Sequence, residues 1–216
     1  MKEREGVIKY SLNHQNIALD KDISISEINA WRTILFKLNL IGQIKERYDG
    51  YGFGNISQRT KPSNTKNAQF IISGTQTGNL EFLSRQHFCT VLEAKPDKNS
   101  LKSAGKIQPS SEALTHATVY QQNNEIKSVI HIHCPEIWSN SDKLTLPYSR
   151  SQVKYGTPEM AEEVKRLFRT THLKSTGVFS MLGHEDGIIA FSDSMGKAAG
   201  LLINLYSRAL AIEQNK

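Results

Sequence analysis

Residues 128–135 read Ser-Val-Ile-His-Ile-His-Cys-Pro, and this stretch decides how the chain folds and where its chemistry lies. β-Branched residues favour a strand, in which successive side chains point to opposite faces. His131 and His133 are therefore predicted to project to one face of a sheet and the intervening isoleucines to the other. Pro135 ends the strand directly afterwards, so the histidine pair lies at a strand end, where functional sites are commonly built.

Two imidazoles on one face are positioned to share a metal ion, although a metal site needs three or four ligands. A chance pair on a solvated sheet face is the alternative interpretation. His184 is a candidate third ligand, because the turn MLGHEDG that contains it lies between two predicted strands. His116 lies on a predicted helix one turn after Glu112 and is interpreted as a packing or ligand-orienting residue, with direct ligation as the alternative. Cys134 points to the opposite face and is predicted to be a buried thiol.

Strands and helices are predicted to alternate irregularly on both sides of this stretch. The predicted helices begin at residue 24 or 26, after Pro109, at 157 and at 194, and end near residues 42, 122, 171 and 213. The predicted strands cover residues 69–72, 88–94, 100–106, 177–182 and 188–191, and residues 49–57 are predicted to form a glycine-rich loop. This order predicts a mixed sheet flanked by helices in one α/β domain at residues 25–216, after an N-terminal lead-in at residues 1–24.

Two segments have features of anion sites. Ser110 and Ser111 lie at the start of a predicted helix, where free backbone N–H groups attract anions, although N-capping by Ser110 is the simpler interpretation. Glu112 follows in the predicted first turn. The turn at residues 73–78 offers hydroxyls and a backbone N–H to an anion, or is only a tight turn. The glycines at 50–54 do not fit the GxGxxG pattern of dinucleotide sites.

The composition narrows the class of protein. The chain of 216 residues suits one compact domain, and 38% hydrophobic against 22% charged residues argues for a packed core. The net charge of +6 is scattered without an aromatic and basic pattern, which argues against nucleic-acid binding. No apolar run is long enough for a signal region or a membrane span. The two cysteines have no CxxC spacing, so we expect free thiols in a reducing, cytoplasmic compartment.

The order of the motifs is more specific than any one of them. GNIS at 54–57, ISGTQTG at 72–78, PSSE at 109–112 with a histidine four residues on, IHIH at 130–133, YGTPEM at 155–160 and GHEDG at 183–187 follow one another. Over residues 39–205 this order resembles the class II aldolase/adducin family. The resemblance implies a single α/β/α domain with a central, mainly antiparallel mixed sheet, assembled as a homotetramer.

The resemblance also implies a metal site. By position, His131, His133 and His184 match the family's ligands, and Glu112 matches the acidic residue that coordinates the metal and acts as base once substrate displaces it. Three imidazoles and a carboxylate favour Zn²⁺, with Mn²⁺, Co²⁺ or Fe²⁺ as alternatives. In the family the third histidine commonly precedes a glycine directly, whereas here two residues intervene. The second of these, Asp186, is the alternative ligand.

The resemblance further assigns residues to the substrate. The positions that would cradle a substrate phosphate are Asn55, Thr77, Gly78, Ser110 and Ser111. Some members supply a catalytic tyrosine from a neighbouring subunit, and the unranked candidates here are Tyr148, Tyr155 and Tyr206.

The function that the resemblance implies is that of a metal-dependent carbon–carbon lyase. It would act on a sugar-like hydroxy-ketone, either phosphorylated or not, by aldol cleavage through a metal-stabilised enediolate. Epimerisation and dehydration use the same kind of site, so both stay open as alternatives. A non-catalytic, adducin-like interaction domain is a further alternative, which the presence of His131, His133 and Glu112 argues against.

Overall fold

The computed structural model describes residues 6–60 and 68–215. Within these residues the strands are β1 Ser11–Gln15, β2 Gly42–Gln43, β3 Gly52–Phe53, β4 Asn55–Arg59, β5 Phe70–Ser73, β6 Phe88–Lys95, β7 Ser100–Gly105, β8 Ser128–His133, β9 Val178–Ser180 and β10 Gly187–Ser192. The α-helices are α1 Ser26–Lys37, α2 Ala113–Gln122, α3 Pro135–Ser139, α4 Pro158–Thr170, α5 Leu173–Thr176 and α6 Met195–Glu213.

An eight-stranded sheet forms the middle of the fold, in the order β1-β7-β6-β5-β4-β8-β10-β9. Every neighbouring pair is antiparallel except β1 and β7, which are parallel. The short strands β2 and β3 pair separately. The predicted α/β fold with a mainly antiparallel mixed sheet is confirmed.

Apolar side chains cover both faces of the sheet, as the alternation in β8 requires. Val129 packs into a buried cluster with residues of α2 and α4. Ile130 and Ile132 pack into a second cluster with residues of α1, α3 and α6. All six residues of β8 are buried, because helices cover the strand from both sides. His131 and His133 share the face of Val129 and therefore point towards α2.

Several predicted elements differ from the observed ones. The glycine-rich loop predicted at residues 49–57 is wrong at residues 55–57, since Asn55–Arg59 is the inner strand β4 between β5 and β8. The short helix α3 was not predicted, although Pro135 both ends β8 and occupies the first position of this helix. Helix α2 begins at Ala113, so Glu112 is its N-cap residue rather than part of its first turn.

The N-terminal segment joins the sheet. Strand β1 lies within the predicted lead-in and pairs with β7 through five residues. Residues 1–5 of the lead-in are outside the described part, and the boundary at residues 24 and 25 stays a prediction. Among the described helices, none has the length and apolarity to cross a membrane.

Candidate metal centre and active site

Three buried imidazoles meet at the end of β8. His131 and His133 project from the strand, and His184 reaches them from the turn between β9 and β10. Ligand nitrogens of the three rings all lie within 4.8 Å of one another. The Nε2 atoms of His131 and His133 are 3.1 Å apart, and the ring centres of His133 and His184 are 4.8 Å apart. The fold thus brings two histidines from one strand and a third from a separate element to one point.

Backbone hydrogen bonds and a glycine shape the turn that carries His184. The His184 N–H donates to Met181 O at 2.9 Å, and the Gly187 N–H donates to His184 O at 3.0 Å. Gly187 lies opposite His133 in the pairing of β8 with β10. A Cβ at Gly187 would be 3.2 Å from the His184 ring. The missing side chain therefore leaves the space into which the His184 ring turns.

The protonation state of the cluster suits a metal ligand. Burial is the main cause that lowers the pKa of His131 and of His133 well below the ordinary value, so both imidazoles are neutral at pH 7. The Nδ1 of His131 is 3.2 Å from the carbonyl oxygen of Ile188, which can only accept, so Nδ1 carries the proton and Nε2 keeps its lone pair. Zinc at about 2.0–2.1 Å from each nitrogen in a tetrahedral site separates two ligand nitrogens by roughly 3.3 Å. The residues present therefore fit a divalent ion.

Glu112 faces this cluster from the start of α2. Its side chain is buried, and its Oε1 lies 3.7 Å from the Nδ1 of His184. The backbone N–H of Glu112 donates to the Oγ of Ser110 at 3.4 Å, and Ala113 N–H donates to the carbonyl of Ser110 at 3.0 Å. The turn before α2 thus directs a carboxylate towards the imidazoles.

His116 lies outside the three-histidine cluster. Its Nδ1 hydrogen-bonds the Oγ of Ser57 at 2.7 Å, and the same Oγ hydrogen-bonds the hydroxyl of Tyr120 at 2.9 Å. Complete burial lowers the pKa of His116 to about 3, so its ring is neutral. These contacts support the packing role that its place on the helix predicts.

The five residues predicted to cradle a phosphate line one small pocket between β4, the turn after β5 and the start of α2. Asn55 is the cross-strand partner of His131, so this pocket adjoins the histidine cluster. A hydrogen bond from α1 stabilises the turn after β5, because the guanidinium of the buried Arg32 donates to the carbonyl of Thr77 at 3.0 Å. A larger cleft beside Phe168 and Phe191 contains none of these residues.

The carboxylate of Asp186, the alternative third ligand, is not part of the histidine cluster. It accepts a 2.6 Å hydrogen bond from the hydroxyl of Tyr48 and lies 3.9 Å from the Nη2 of Arg47. The Tyr48 ring packs edge-on against His133, with 4.6 Å between ring centres. Sequence reasoning missed Tyr48 and Arg47, because single residues of a loop carry no periodic signal.

One of the three candidate tyrosines contacts the cluster. Tyr155 stacks on His184 with 4.4 Å between ring centres and 22° between planes. The Nζ of Lys9 lies 3.5 Å from the centre of the Tyr155 ring and donates to the Tyr155 carbonyl at 3.1 Å. Tyr148 is exposed at the surface, and Tyr206 is partly buried on α6.

Similar structures share this fold at low sequence identity. A sugar-phosphate aldolase from Thermotoga maritima matches with a TM-score of 0.64 at 16% identity, covering 88% of this chain and 93% of that chain. L-fuculose-1-phosphate aldolase from Thermus thermophilus matches with a TM-score of 0.62 at 18% identity, covering 88% of this chain and 92% of that chain. YgbL from Escherichia coli matches with a TM-score of 0.63 at 18% identity, covering 88% of each chain. Comparison with curated proteins gives no significant match.

The family is shown by the sequence itself. The model of the class II aldolase and adducin N-terminal domain matches residues 43–210, which include β8, the start of α2 and the turn with His184. This match covers more than half of the chain, and its span agrees with the order of motifs that predicted the family. The chain therefore belongs to the class II aldolase and adducin N-terminal domain family.

Proposed function

We propose that this protein is a metal-dependent lyase that cleaves a phosphorylated, sugar-like hydroxy-ketone by a reversible aldol reaction. The observation that carries the proposal is the buried cluster of His131, His133 and His184 with the Glu112 carboxylate 3.7 Å from one of its rings. Two of the similar structures are named as aldolases of a sugar phosphate and of L-fuculose 1-phosphate. Their fold supports a substrate of this class, and we propose that the pocket beside the cluster binds its phosphate group.

In this proposal the three histidines would hold the metal ion, and Glu112 would complete the set of ligands until substrate arrives. Zinc is the proposed ion, because imidazole nitrogens outnumber oxygens in the cluster. When bound, a divalent ion supplies a Lewis acid for the carbonyl oxygen and the adjacent hydroxyl of the substrate.

The chain's own residues position the substrate and move the proton. The phosphate oxygens would be bound by hydroxyl, amide and backbone N–H groups of the pocket. The residues that carry these groups are Asn55, Thr77, Gly78, Ser110 and Ser111. In the direction of condensation, the Glu112 carboxylate removes a proton from the carbon beside the carbonyl. In the direction of cleavage, the hydroxyl that becomes the aldehyde loses its proton to water as the carbon–carbon bond breaks, and Glu112 in its protonated form returns a proton to that carbon.

Epimerisation and dehydration remain rival reactions, since both begin at the same carbonyl and use the same residues. We also propose that the protein assembles as a homotetramer and acts in the cytoplasm. A non-catalytic interaction domain is the rival from another class of function, and such a domain has no need of three converging imidazoles beside a buried carboxylate.

Metal content is the first test. We expect elemental analysis of protein purified without added metal to find about one divalent ion per chain, mostly zinc. The double variant His131→Ala, His133→Ala should lose the ion and stay folded, because the apolar clusters on both faces of the sheet remain. A metal content near zero that zinc, manganese, cobalt or iron does not raise would contradict the proposal.

Reaction chemistry is the second test. Protein loaded with zinc should exchange a carbon-bound hydrogen of dihydroxyacetone phosphate for deuterium in D₂O, which proton NMR records, and should release aldehyde from L-fuculose 1-phosphate or a stereoisomer. Release of aldehyde favours aldol cleavage, whereas conversion between stereoisomers without net aldehyde favours epimerisation and loss of water favours dehydration. Metal binding without exchange on any hydroxy-ketone phosphate would favour a non-catalytic role.

A further inference from the structure

We infer that Arg47, Tyr48 and Asp186 form a clamp that positions His133 and His184 as metal ligands, which makes Tyr48 and Asp186 positioning residues of the site. The inference rests on the proposed function, since it assigns these three residues a role in how tightly the histidines hold their ion.

The clamp joins two segments that are far apart in sequence. The Tyr48 hydroxyl donates to the Oδ2 of Asp186 at 2.6 Å, and the Nη2 of Arg47 donates to the Tyr48 hydroxyl at 2.6 Å. The backbone carbonyl of Asp186 also accepts from the N–H of Cys134 at 2.8 Å. The turn that carries His184 is therefore joined to the segment between β2 and β3 by a side-chain hydrogen bond and to the end of β8 by a backbone hydrogen bond.

The same tyrosine touches a predicted ligand directly. The Tyr48 ring lies edge-on to His133 at 4.6 Å and edge-on to Phe53 at 5.1 Å, while Phe53 is 5.5 Å from His133. The guanidinium of Arg47 lies over the Phe53 ring at 4.7 Å. Rings on these sides of His133 restrict its rotation, so its nitrogen keeps one direction.

The backbone of the clamp is held in uncommon conformations. The φ angles of Tyr48, Asp49 and Asp186 are 51°, 56° and 61°, in the left-handed region that non-glycine residues seldom occupy. Such conformations cost free energy and persist where surrounding contacts enforce them, which is common at functional sites. Two of these three residues, Tyr48 and Asp186, are joined to each other by the side-chain hydrogen bond of the clamp.

The clamp also accounts for the spacing in GHEDG. The two residues between His184 and Gly187 place Asp186 at the corner of the turn, where its carboxylate meets Tyr48 rather than the histidine cluster. The two intervening residues therefore add an anchor for the turn, and Asp186 does not take the place of His184 in the cluster. Hydrogen-bonded groups behind metal ligands commonly change metal affinity by about 10–100-fold when they are removed.

The test measures zinc affinity by competition with a chelator, together with the visible spectrum of the Co²⁺ form. Tyr48→Phe keeps the ring against His133 and removes only the hydroxyl, and Asp186→Asn removes the charge that this hydroxyl meets. We expect each to weaken zinc binding about tenfold or more and to shift the Co²⁺ bands. The matched control Tyr51→Phe removes a phenol hydroxyl from the same loop and leaves the Tyr48–Asp186 hydrogen bond in place, so its zinc affinity should equal that of the wild type.

The double variant Tyr48→Phe, Asp186→Asn shows whether the two residues affect zinc affinity through one shared hydrogen bond or independently. If Tyr48 and Asp186 act through one hydrogen bond, the double variant should lose little more affinity than either single variant, whereas independent losses would multiply. Circular dichroism of the metal-free variants checks the fold. Two results would overturn the inference while leaving the proposed function intact. The first is that both single variants keep the zinc affinity and the Co²⁺ bands of the wild type. The second is that the losses of affinity multiply in the double variant. Failure of the wild-type protein itself to bind metal would instead overturn the proposed function and the clamp with it.

Discussion

At the residue scale, Glu112 has a different proposed role from the three histidines, because a carboxylate can take up and release a proton during the reaction while the histidines are proposed to hold the metal ion. Glu112→Gln keeps the size of the side chain and removes the base. We expect this variant to keep its fold and its metal and to exchange deuterium into dihydroxyacetone phosphate more slowly by about a hundredfold or more. The measurement is the exchange rate by proton NMR at equal metal content.

A buried carboxylate elsewhere provides the control for this variant. Glu163 is also buried and hydrogen-bonds Arg166 at 2.9 Å, but it lies on α4 outside the cluster. Glu163→Gln should lower the free energy of unfolding and leave the exchange rate at the wild-type value. Wild-type exchange by Glu112→Gln would assign Glu112 a ligand or capping role only.

The sequence predicts some residues of the site and cannot predict others, for physical reasons. His131 and His133 could be assigned to one face because a strand repeats every two residues. The position of His184 beside them depended on the resemblance, since a histidine in a turn is equally compatible with exposure to solvent. Tyr48 could not be predicted at all, because its contact with Asp186 is made between residues 138 positions apart.

At the scale of elements, the pairing of β8 with β10 decides how closely the His184 turn approaches β8. Gly187→Ala would place a methyl group 3.2 Å from the His184 ring, so the ring must shift. We expect a loss of zinc affinity, measured by chelator competition, with a smaller effect on the melting temperature of the metal-free protein. The control is Gly200→Ala on α6, where the new methyl group meets no described atom within 4 Å apart from its chain neighbours and the adjacent backbone of the helix, and alanine favours the helix. Equal zinc affinity in Gly187→Ala and the wild type would contradict this account of the turn.

Element prediction was most successful where local pattern and tertiary burial agree. The bounds of β8 match the predicted strand at residues 128–133, because β-branched residues alternate there with histidines. Strand β4 was missed because Asn55-Ile-Ser-Gln-Arg59 is polar and follows a run of glycines. Its buried residues Ser57 and Arg59 have hydrogen-bond partners far away in the sequence, such as the Ile126 carbonyl, which accepts from Arg59 Nε at 2.9 Å, and local sequence does not reveal such partners.

At the scale of the whole molecule, the resemblance to the family predicts a homotetramer. Light scattering after size-exclusion chromatography should therefore give a mass four times that of the 24.3 kDa chain. The measurement should be repeated over a range of protein concentrations, because a weak assembly dissociates on dilution. A mass of 24.3 kDa throughout that range would show that the site functions, if at all, within one chain.

The buried histidines should make the stability of the whole metal-free protein depend on pH. Burial lowers the pKa of His116 to about 3 and the pKa values of His131 and His133 well below the ordinary value. Below about pH 6.5 the unfolded chain therefore binds protons that the folded protein excludes, so the free energy of unfolding falls as the pH falls and levels off above that value. His116 alone should lower the free energy of unfolding by about 2 kcal/mol between pH 7 and pH 5. Urea unfolding at both pH values should show this loss in the wild type, and His116→Asn, which keeps a polar group near Ser57, should reduce it by about 2 kcal/mol. Equal pH dependence in the two proteins would mean that His116 is protonated to the same extent when folded and unfolded.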